Sequence, residues 1–341
     1  MKLLRLLLFP ISALYGCITY VRNLLFDLGI LKSYQFNLPI IAVGNLNMGG
    51  TGKTPQIEYL IRLLSTHYKV ATLSRGYKRK SSGFIVANNS STAATLGDEP
   101  YQFYKKFSKI QVAVDANRKN GIENLLKSGN KPQIILLDDA FQHRKVRAGF
   151  YILLTTFNDL YSTDFVLPTG NLRENKSGAK RANIIIVTKC PANLSQIEQK
   201  KIIALLNIKN AQKVFFSYIS YDDKIYSETE TIELTSILNQ PKLLLTGIAK
   251  PEPFYKYLNQ KLGETLTYPD HHYFSEKDIK NIKQKAQNRP IITTEKDYVR
   301  LANQLSYQKL YYLPIKSSFI TNGATFDKII LNYVESSSRN S

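Results

Sequence analysis

A glycine-rich turn, Asn47-Met48-Gly49-Gly50-Thr51-Gly52-Lys53-Thr54, constrains this chain more than any other feature. It follows the apolar, β-branched run Pro39–Val43, which reads as a buried strand. It precedes Lys53 to about Ser65, where Ile57, Leu60, Ile61 and Leu64 fall on one helical face. A strand, a glycine-rich turn and a helix in that order make a phosphate-binding loop. Backbone N–H groups of the turn point at a phosphate at the positive end of the helix, Lys53 neutralises β/γ charge, and the Thr54 hydroxyl ligates Mg²⁺. Asn47 stands where the first glycine is usual, and asparagine tolerates the positive φ required there. A second apolar run, Ile134–Leu137, ends in Asp138-Asp139, the carboxylates that would hold magnesium directly or through water beside such a loop.

The rest of the chain supports an α/β reading. Further strands are expected at Lys69–Leu73, Ile110–Val114, Tyr151–Leu154 and Ile184–Val187, with helices at Glu99–Phe107, Asn117–Leu126 and about Ser195–Leu206. Continuous apolar strands separated by helices imply a parallel sheet covered on both faces. Val214–Tyr221 alternates like an exposed strand and opens a polar connector. A second α/β run then has strands at Lys242–Thr246, Pro290–Thr293 and Tyr311–Ile315 and helices at Glu252–Leu262 and Glu276–Gln287. The expected domains are 1–31, 32–213, a linker at 214–237, and 238–335, followed by a frayed Ser-rich tail. With 341 residues there is length for two cores.

Residues 1–31 are unusually apolar. The uncharged stretch Leu6–Val21 is too short to span a bilayer and is interrupted by Pro10. Lys2 and Arg5 before an apolar run, with Leu14-Tyr15-Gly16-Cys17, resemble an export signal, but the phosphate loop needs the cytoplasmic nucleotide pool. The preferred reading is a helix in the membrane interface, with Arg5, Arg22 and Lys32 snorkelling to lipid phosphates; a buried core helix is the competing one. The net charge of +20 fits an anionic membrane, a phosphorylated substrate, nucleic acid, or simply a solvated surface. The two cysteines, Cys17 and Cys190, lie far apart and flank no CxxC, which argues against a disulfide framework and a cysteine zinc site.

A longer series of motifs carries a resemblance. Gly44-Asn45, Pro55, Ser74-Arg75-Gly76-Tyr77, Gly97-Asp98-Glu99-Pro100 and Asp138-Asp139-Ala140-Phe141-Gln142-His143 occur in order. They are followed by Leu167-Pro168-Thr169-Gly170-Asn171-Leu172-Arg173-Glu174, Thr246-Gly247-Ile248-Ala249-Lys250-Pro251, Pro269-Asp270-His271-His272 and Thr294-Glu295-Lys296-Asp297. This series resembles the tetraacyldisaccharide 4′-kinase family, the lipid A 4′-kinases, over about residues 1–315. Departures are Ala140 for a common Gly, Asn171 for Pro and Lys250 for Arg; none removes an ionisable role. The resemblance implies a P-loop nucleotide-hydrolase-like three-layer α/β/α domain, a second smaller α/β/α domain joined by a short β linker, and an N-terminal apolar helix. It implies transfer of the γ-phosphate of ATP, with Mg²⁺, to the 4′-hydroxyl of an acylated glucosamine disaccharide 1-phosphate, forming lipid IVA. The expected location is the cytoplasmic face of the bacterial inner membrane, bound peripherally to an anionic surface, with no nucleic-acid partner.

The resemblance also suggests roles. Asp98 resembles the base for the sugar hydroxyl; without the resemblance, Asp98 and Glu99 read first as caps of the helix that follows. His271 resembles the partner that orients Asp98 from the second domain, with neighbouring His272 the alternative. Arg118 and Arg173 offer guanidinium forks to the ATP phosphates or the acceptor phosphate, and Glu174 is a candidate to help Asp138 and Asp139 hold magnesium. Glu295, Lys296 and Asp297 match a family motif but acquire no chemical role. Two other classes compete: a small-molecule kinase, and a nucleotide switch or nucleic-acid binder. The switch would want a base-reading NKxD, and Val187-Thr188-Lys189-Cys190 continues to Pro191 instead of Asp.

Overall fold

The computed structural model describes residues 5–209, 211–258, 263–270, 272–305 and 309–339. After an N-terminal helix α1 (Phe9–Asp27), strands and helices alternate: β1 (Ile40–Asn45), α2 (Lys53–Leu64), β2 (Val70–Ser74), β3 (Ile85–Val86), α3 (Ala93–Leu96), α4 (Asp98–Lys106), β4 (Gln111–Val114), α5 (Arg118–Lys127), β5 (Ile134–Asp138), β6 (Phe150–Thr156), β7 (Ile184–Thr188) and α6 (Gln196–Leu206). The remainder comprises β8 (Lys213–Tyr221), β9 (Lys224–Tyr226), β10 (Thr231–Glu233), α7 (Leu234–Leu238), β11 (Lys242–Thr246), α8 (Glu252–Tyr257), β12 (Gly263–Thr267), α9 (Glu276–Ala286), β13 (Ile291–Thr294), α10 (Glu295–Leu301), β14 (Leu310–Leu313), β15 (Ile315–Phe319) and α11 (Gly323–Arg339).

Two sheets organise the molecule. The larger has nine strands in the order β15-β8-β7-β6-β1-β5-β2-β4-β3, the smaller six in the order β10-β9-β14-β13-β11-β12. In the larger sheet β1 lies between β5 and β6, parallel to both, so Val43 faces Asp138 across one register and Ile152 across the other. Its inner strands are buried on both faces, which is why they read as unbroken β-branched and leucine runs. Ile57, Leu60, Ile61 and Leu64 of α2 pack with Ile41, Val43, Ile134 and Ile152 on one face, while Ile122 and Leu125 of α5 pack with Ala42, Leu73 and Ile135 on the other.

The chain crosses between the sheets twice. β8 pairs parallel with β7 through its first half and antiparallel with β15 through its second, so the segment expected as a connector is a strand of the first sheet. β9 and β10, also in the expected linker, edge the second sheet. The expected strand Tyr311–Ile315 is divided by Pro314: β14 closes on the second sheet and β15 returns to the first. Helix α11 then buries Phe326, Ile330 and Val334 against the first core and runs to Arg339, where a frayed tail was expected. The expected helix Glu252–Leu262 ends at Tyr257, and β12 follows. Sequence-contiguous boundaries cannot register a chain that comes back, so 315–339 belong with the first sheet.

Helix α1 inverts the usual amphipathic arrangement. Its buried residues are Ser12 and Thr19, while Leu14 is 64% exposed and Ile11 and Ile18 are also exposed. Its polar side is bonded to the protein. Ser12 donates to Thr169 at 2.7 Å, Tyr15 donates to the Arg173 carbonyl at 2.9 Å, and Arg22 donates to the Gln142 carbonyl at 2.9 Å. The competing core-helix reading is therefore set aside. Pro10 sits in the first turn, where no intrahelical donor is lost, so it starts the helix and does not break it. No helix among the described residues is long and apolar enough to cross a membrane.

Candidate active site

The phosphate loop hangs on the C-terminal end of β1. Gly52, at φ 85°, is the left-handed residue that opens α2, a conformation a side chain would strain. Gly44 is glycine for another reason: a Cβ there would lie 2.7 Å from that of Phe141. The front of the loop is stitched to residues 171–173. Met48 N–H donates to the Asn171 carbonyl at 2.7 Å, and Arg173 N–H donates to the Leu46 carbonyl at 2.8 Å. Its far side is held by β7, where the Thr188 hydroxyl donates to the Thr51 carbonyl at 2.8 Å.

At the mouth of the loop four polar side chains converge. Lys53 donates to Asn45 Oδ1 at 3.0 Å and lies 3.5 Å from Asp139. Arg173 forks onto both oxygens of Asp139 at 3.1 Å and also reaches Asn45 Oδ1 at 3.0 Å. Asp139 itself has φ 48°, an uncommon conformation for a non-glycine residue, which turns its carboxylate back toward the loop. Burial alone would push Asp139 upward, but Lys53 and Arg173 together hold it below the ordinary carboxylate range. Asp138 goes the other way, pushed up to about 6 by burial and then by the charge of Asp139. Its Oδ1 is inaccessible and has no hydrogen-bond partner, while Oδ2 faces the Ser74 hydroxyl at 3.4 Å.

That uncompensated carboxylate oxygen is the observation against which magnesium can be tested. Asp138, Asp139 and the Thr54 hydroxyl offer hard oxygen donors beside a phosphate loop, the donor set Mg²⁺ prefers, so these residues fit the ion. Glu174 does not join them. It is 1% exposed, and its oxygens take Arg181 at 2.7 Å, Gln142 at 3.1 Å and Asn23 of α1. Among the described residues no three acidic, histidine or cysteine side chains form a metal cluster. Glu174 instead ties α1 to the segment that frames the loop. Arg118 is likewise no phosphate fork. It is 1% exposed and donates to the main-chain carbonyls of Asp115 and, at 3.0 Å, Asp138. It braces the ends of β4 and β5, and burial lowers it to about 10.

Asp98 opens α4 beside the loop that leaves β2. The N-cap position is Gly97 and no side chain caps this helix, so the capping alternative fails. Asp98 instead forms an ion pair with Arg300 of α10, across the boundary between the two sheets. His271 lies outside the described residues. His272 is engaged elsewhere: its Nε2 is 3.1 Å from Asp278 and its ring stacks on Tyr268. Four residues were assigned no role from the sequence. Asn45 and Gln142 brace the loop, and Gln142 donates to the Asn45 carbonyl at 2.9 Å. Lys189, at φ 56°, places its ammonium over Gly50, within 3.8 Å of a Cβ built there. Burial and neighbouring Lys250 lower its pKa. Arg300 is the fourth. Lys189 was detectable as a cation directly after an apolar strand; Arg300 carried no local signal.

Comparison with known proteins places this architecture. The family model LpxK, tetraacyldisaccharide-1-P 4′-kinase, matches residues 4–335. Proteins named tetraacyldisaccharide 4′-kinase are similar along their whole length: that of Flavobacterium psychrophilum is 64% identical, with all of both chains covered, and that of Bacteroides thetaiotaomicron is 44% identical over 98% of this chain and 94% of its own. The crystal structure of Aquifex aeolicus LpxK in complex with ATP superposes with a TM-score of 0.80 at 29% identity, covering 97% of this chain and 99% of that one. With its two-sheet architecture, its phosphate loop and nearly its whole length matched, the chain belongs to the tetraacyldisaccharide-1-P 4′-kinase family.

Proposed function

We propose that this chain transfers the γ-phosphate of ATP to the 4′-hydroxyl of tetraacyldisaccharide 1-phosphate, giving lipid IVA, while resting on the cytoplasmic face of the inner membrane. One observation carries the reading. The outward apolar face of α1 is hydrogen-bonded through its polar side to residues 169–174, and those residues are bonded to the phosphate loop. An exposed apolar surface and a nucleotide-binding loop are thus bonded to one segment, which suits an acceptor whose acyl chains stay in the bilayer. The names of its relatives specify the same acceptor class.

Mg²⁺–ATP, when bound, supplies the phosphoryl group and neutralises charge on its terminal phosphates. Main-chain N–H groups of Gly50, Gly52 and Lys53 cradle phosphate oxygens, the Thr51 N–H closing the turn onto the Gly49 carbonyl at 3.0 Å, and Met48 and Asn47 set the loop's outer edge. Lys53 supplies a fixed positive charge, and Asp138, Asp139 and Thr54 are the residues that would hold the metal. Arg173 keeps Asp139 ionised and in place; Arg118 holds the Asp138 main chain. Asp98 accepts the proton of the 4′-hydroxyl as the hydroxyl oxygen bonds to phosphorus and the bond from the γ-phosphorus to the β–γ bridging oxygen breaks, ADP leaving. Because proton transfer is late in such reactions, Asp98 acts mainly by fixing the hydroxyl.

The test is transfer of γ-labelled ATP to the acylated disaccharide 1-phosphate in mixed micelles, with Lys53→Ala as control. A labelled bisphosphorylated lipid that vanishes in the control supports the reading. ATP turnover without lipid labelling would overturn the acceptor assignment.

A further inference from the structure

The motif Thr294-Glu295-Lys296-Asp297 forms the start of α10, and this helix docks against α4, the helix that begins with Asp98. We infer that Arg300, carried on α10, is a positioning residue that fixes the Asp98 carboxylate for the acceptor hydroxyl. The inference rests on Asp98 being the base.

Four observations support it. First, the Arg300–Asp98 pair is not a solvated surface contact, since the side chains are 11% and 21% exposed. A partly desolvated charge-assisted hydrogen bond holds geometry better than an exposed ion pair does. Second, Arg300 is itself held by the second sheet. A guanidinium nitrogen lies 3.5 Å from Asp297 Oδ1, and Asp297 Oδ2 accepts from Gly247 N–H at 2.9 Å and from the Thr294 hydroxyl at 2.7 Å. Hydrogen bonds therefore hold Asp297 to the Thr246-Gly247 turn and to the start of α10, and Asp297 faces Arg300 by charge alone, across 3.5 Å, as Arg300 pairs with Asp98. Third, the neighbouring motif is tied to the same helix, because Lys296 pairs with Asp270 at 3.3 Å.

Fourth, the α4–α10 contact has a second fastening, remote from Arg300. Lys106, at the other end of α4, bridges buried Glu58 of α2 at 2.8 Å and Glu295 of α10 at 2.6 Å. Eight residues separate Asp98 from Lys106, about 12 Å along a helix. One end of α4 is thus fastened by a charge triad, and at the other Asp98 pairs with Arg300. The second pair sets where Asp98 points, and a displacement of about 1 Å there costs on the order of 100-fold in rate.

The experiment compares Arg300→Gln, Arg300→Lys, Lys106→Met, Asp98→Asn and the double variant Asp98→Asn/Arg300→Gln in full-length protein. It measures kcat, KM for ATP and for the lipid acceptor, and the apparent Tm. Arg300→Gln is expected to lower kcat about 100-fold with KM for ATP unchanged, Arg300→Lys to recover part of that loss, and Lys106→Met to lower Tm while changing kcat less than about threefold. If Arg300 acts through Asp98, the double variant is no slower than Asp98→Asn alone. A further fall in the double variant, or an equal kcat loss in Lys106→Met, overturns the inference. Should Arg300→Gln not fold, Arg300→Lys and its double variant with Asp98→Asn give the same comparison. Near-normal turnover of Asp98→Asn would instead remove the base assignment, a failure distinct from that of Arg300.

Discussion

The two sheets contribute to the site in different ways. The nine-stranded sheet delivers its groups locally: residues 45–54 leave one strand and enter one helix, and Asp138 and Asp139 end the adjacent strand. The six-stranded sheet delivers Arg300 only by packing α10 onto α4, 202 residues away from Asp98 in sequence. Groups placed by a single turn keep their geometry as long as that turn forms. Groups placed by docking depend on an interface, so phosphate binding and hydroxyl positioning should separate under mutation.

The largest expected effect tests the local half. Lys53→Ala should lower kcat about 10³-fold, because a fixed charge aimed at developing phosphate charge is lost; single-turnover transfer measures it, and a loss below about tenfold would mean the nucleotide lies elsewhere. Next comes the docking half. Lys106→Met leaves the Glu58 and Glu295 carboxylates close together without their bridging cation, which should cost about 3 kcal/mol in urea unfolding. If stability is unchanged, the interface does not depend on this triad and the contrast between the sheets collapses.

A smaller, pH-dependent effect sharpens the same point. Burial, with the charge of Glu58 adding to it and Lys106 opposing, pushes Glu295 up from 4.5 to about 7. A carboxyl raised on folding binds more protons folded than unfolded between those two values, so its ionisation costs stability progressively as pH rises from about 4.5 to 7. Glu295→Gln should therefore look increasingly favourable relative to the parent between pH 5 and pH 8, by about 1–2 kcal/mol. A difference in Tm that is flat across that range would show that Glu295 does not titrate in the interface. The smallest effect belongs to the outward face of α1. Ile11→Ser with Leu14→Ser should change stability by less than about 0.5 kcal/mol, since both side chains are already exposed, yet weaken flotation with anionic vesicles. Undiminished flotation would sink the membrane-facing role of that helix.

Much of this was legible in the sequence where the signal is short-range. The strand, turn and helix around Asn47–Thr54, the carboxylates at 138 and 139, and the inner strands of both sheets follow from periodicity and from glycine at positions that demand it. Helix α1 was visible as apolar, but which face turns outward was not: Ser12, Tyr15, Arg22 and Asn23 become its protein side only because Thr169, Arg173, Gln142 and Glu174 wait there. Arg118 and Glu174 show the opposite case. Each has the residue type a phosphate or metal would want, and each is consumed by a buried partner that no sequence spacing announces.

The sequence by itself determined the phosphate loop, the paired aspartates, the α/β alternation and, through the order of its motifs, the family. Tertiary structure alone decided which charged groups remain available for chemistry, that residues 315–339 close the first sheet, and that α10 meets Asp98. The reason is physical: backbone conformation and hydrophobic period are properties of a few neighbouring residues, whereas a buried charge takes whichever partner the packing brings within about 3 Å.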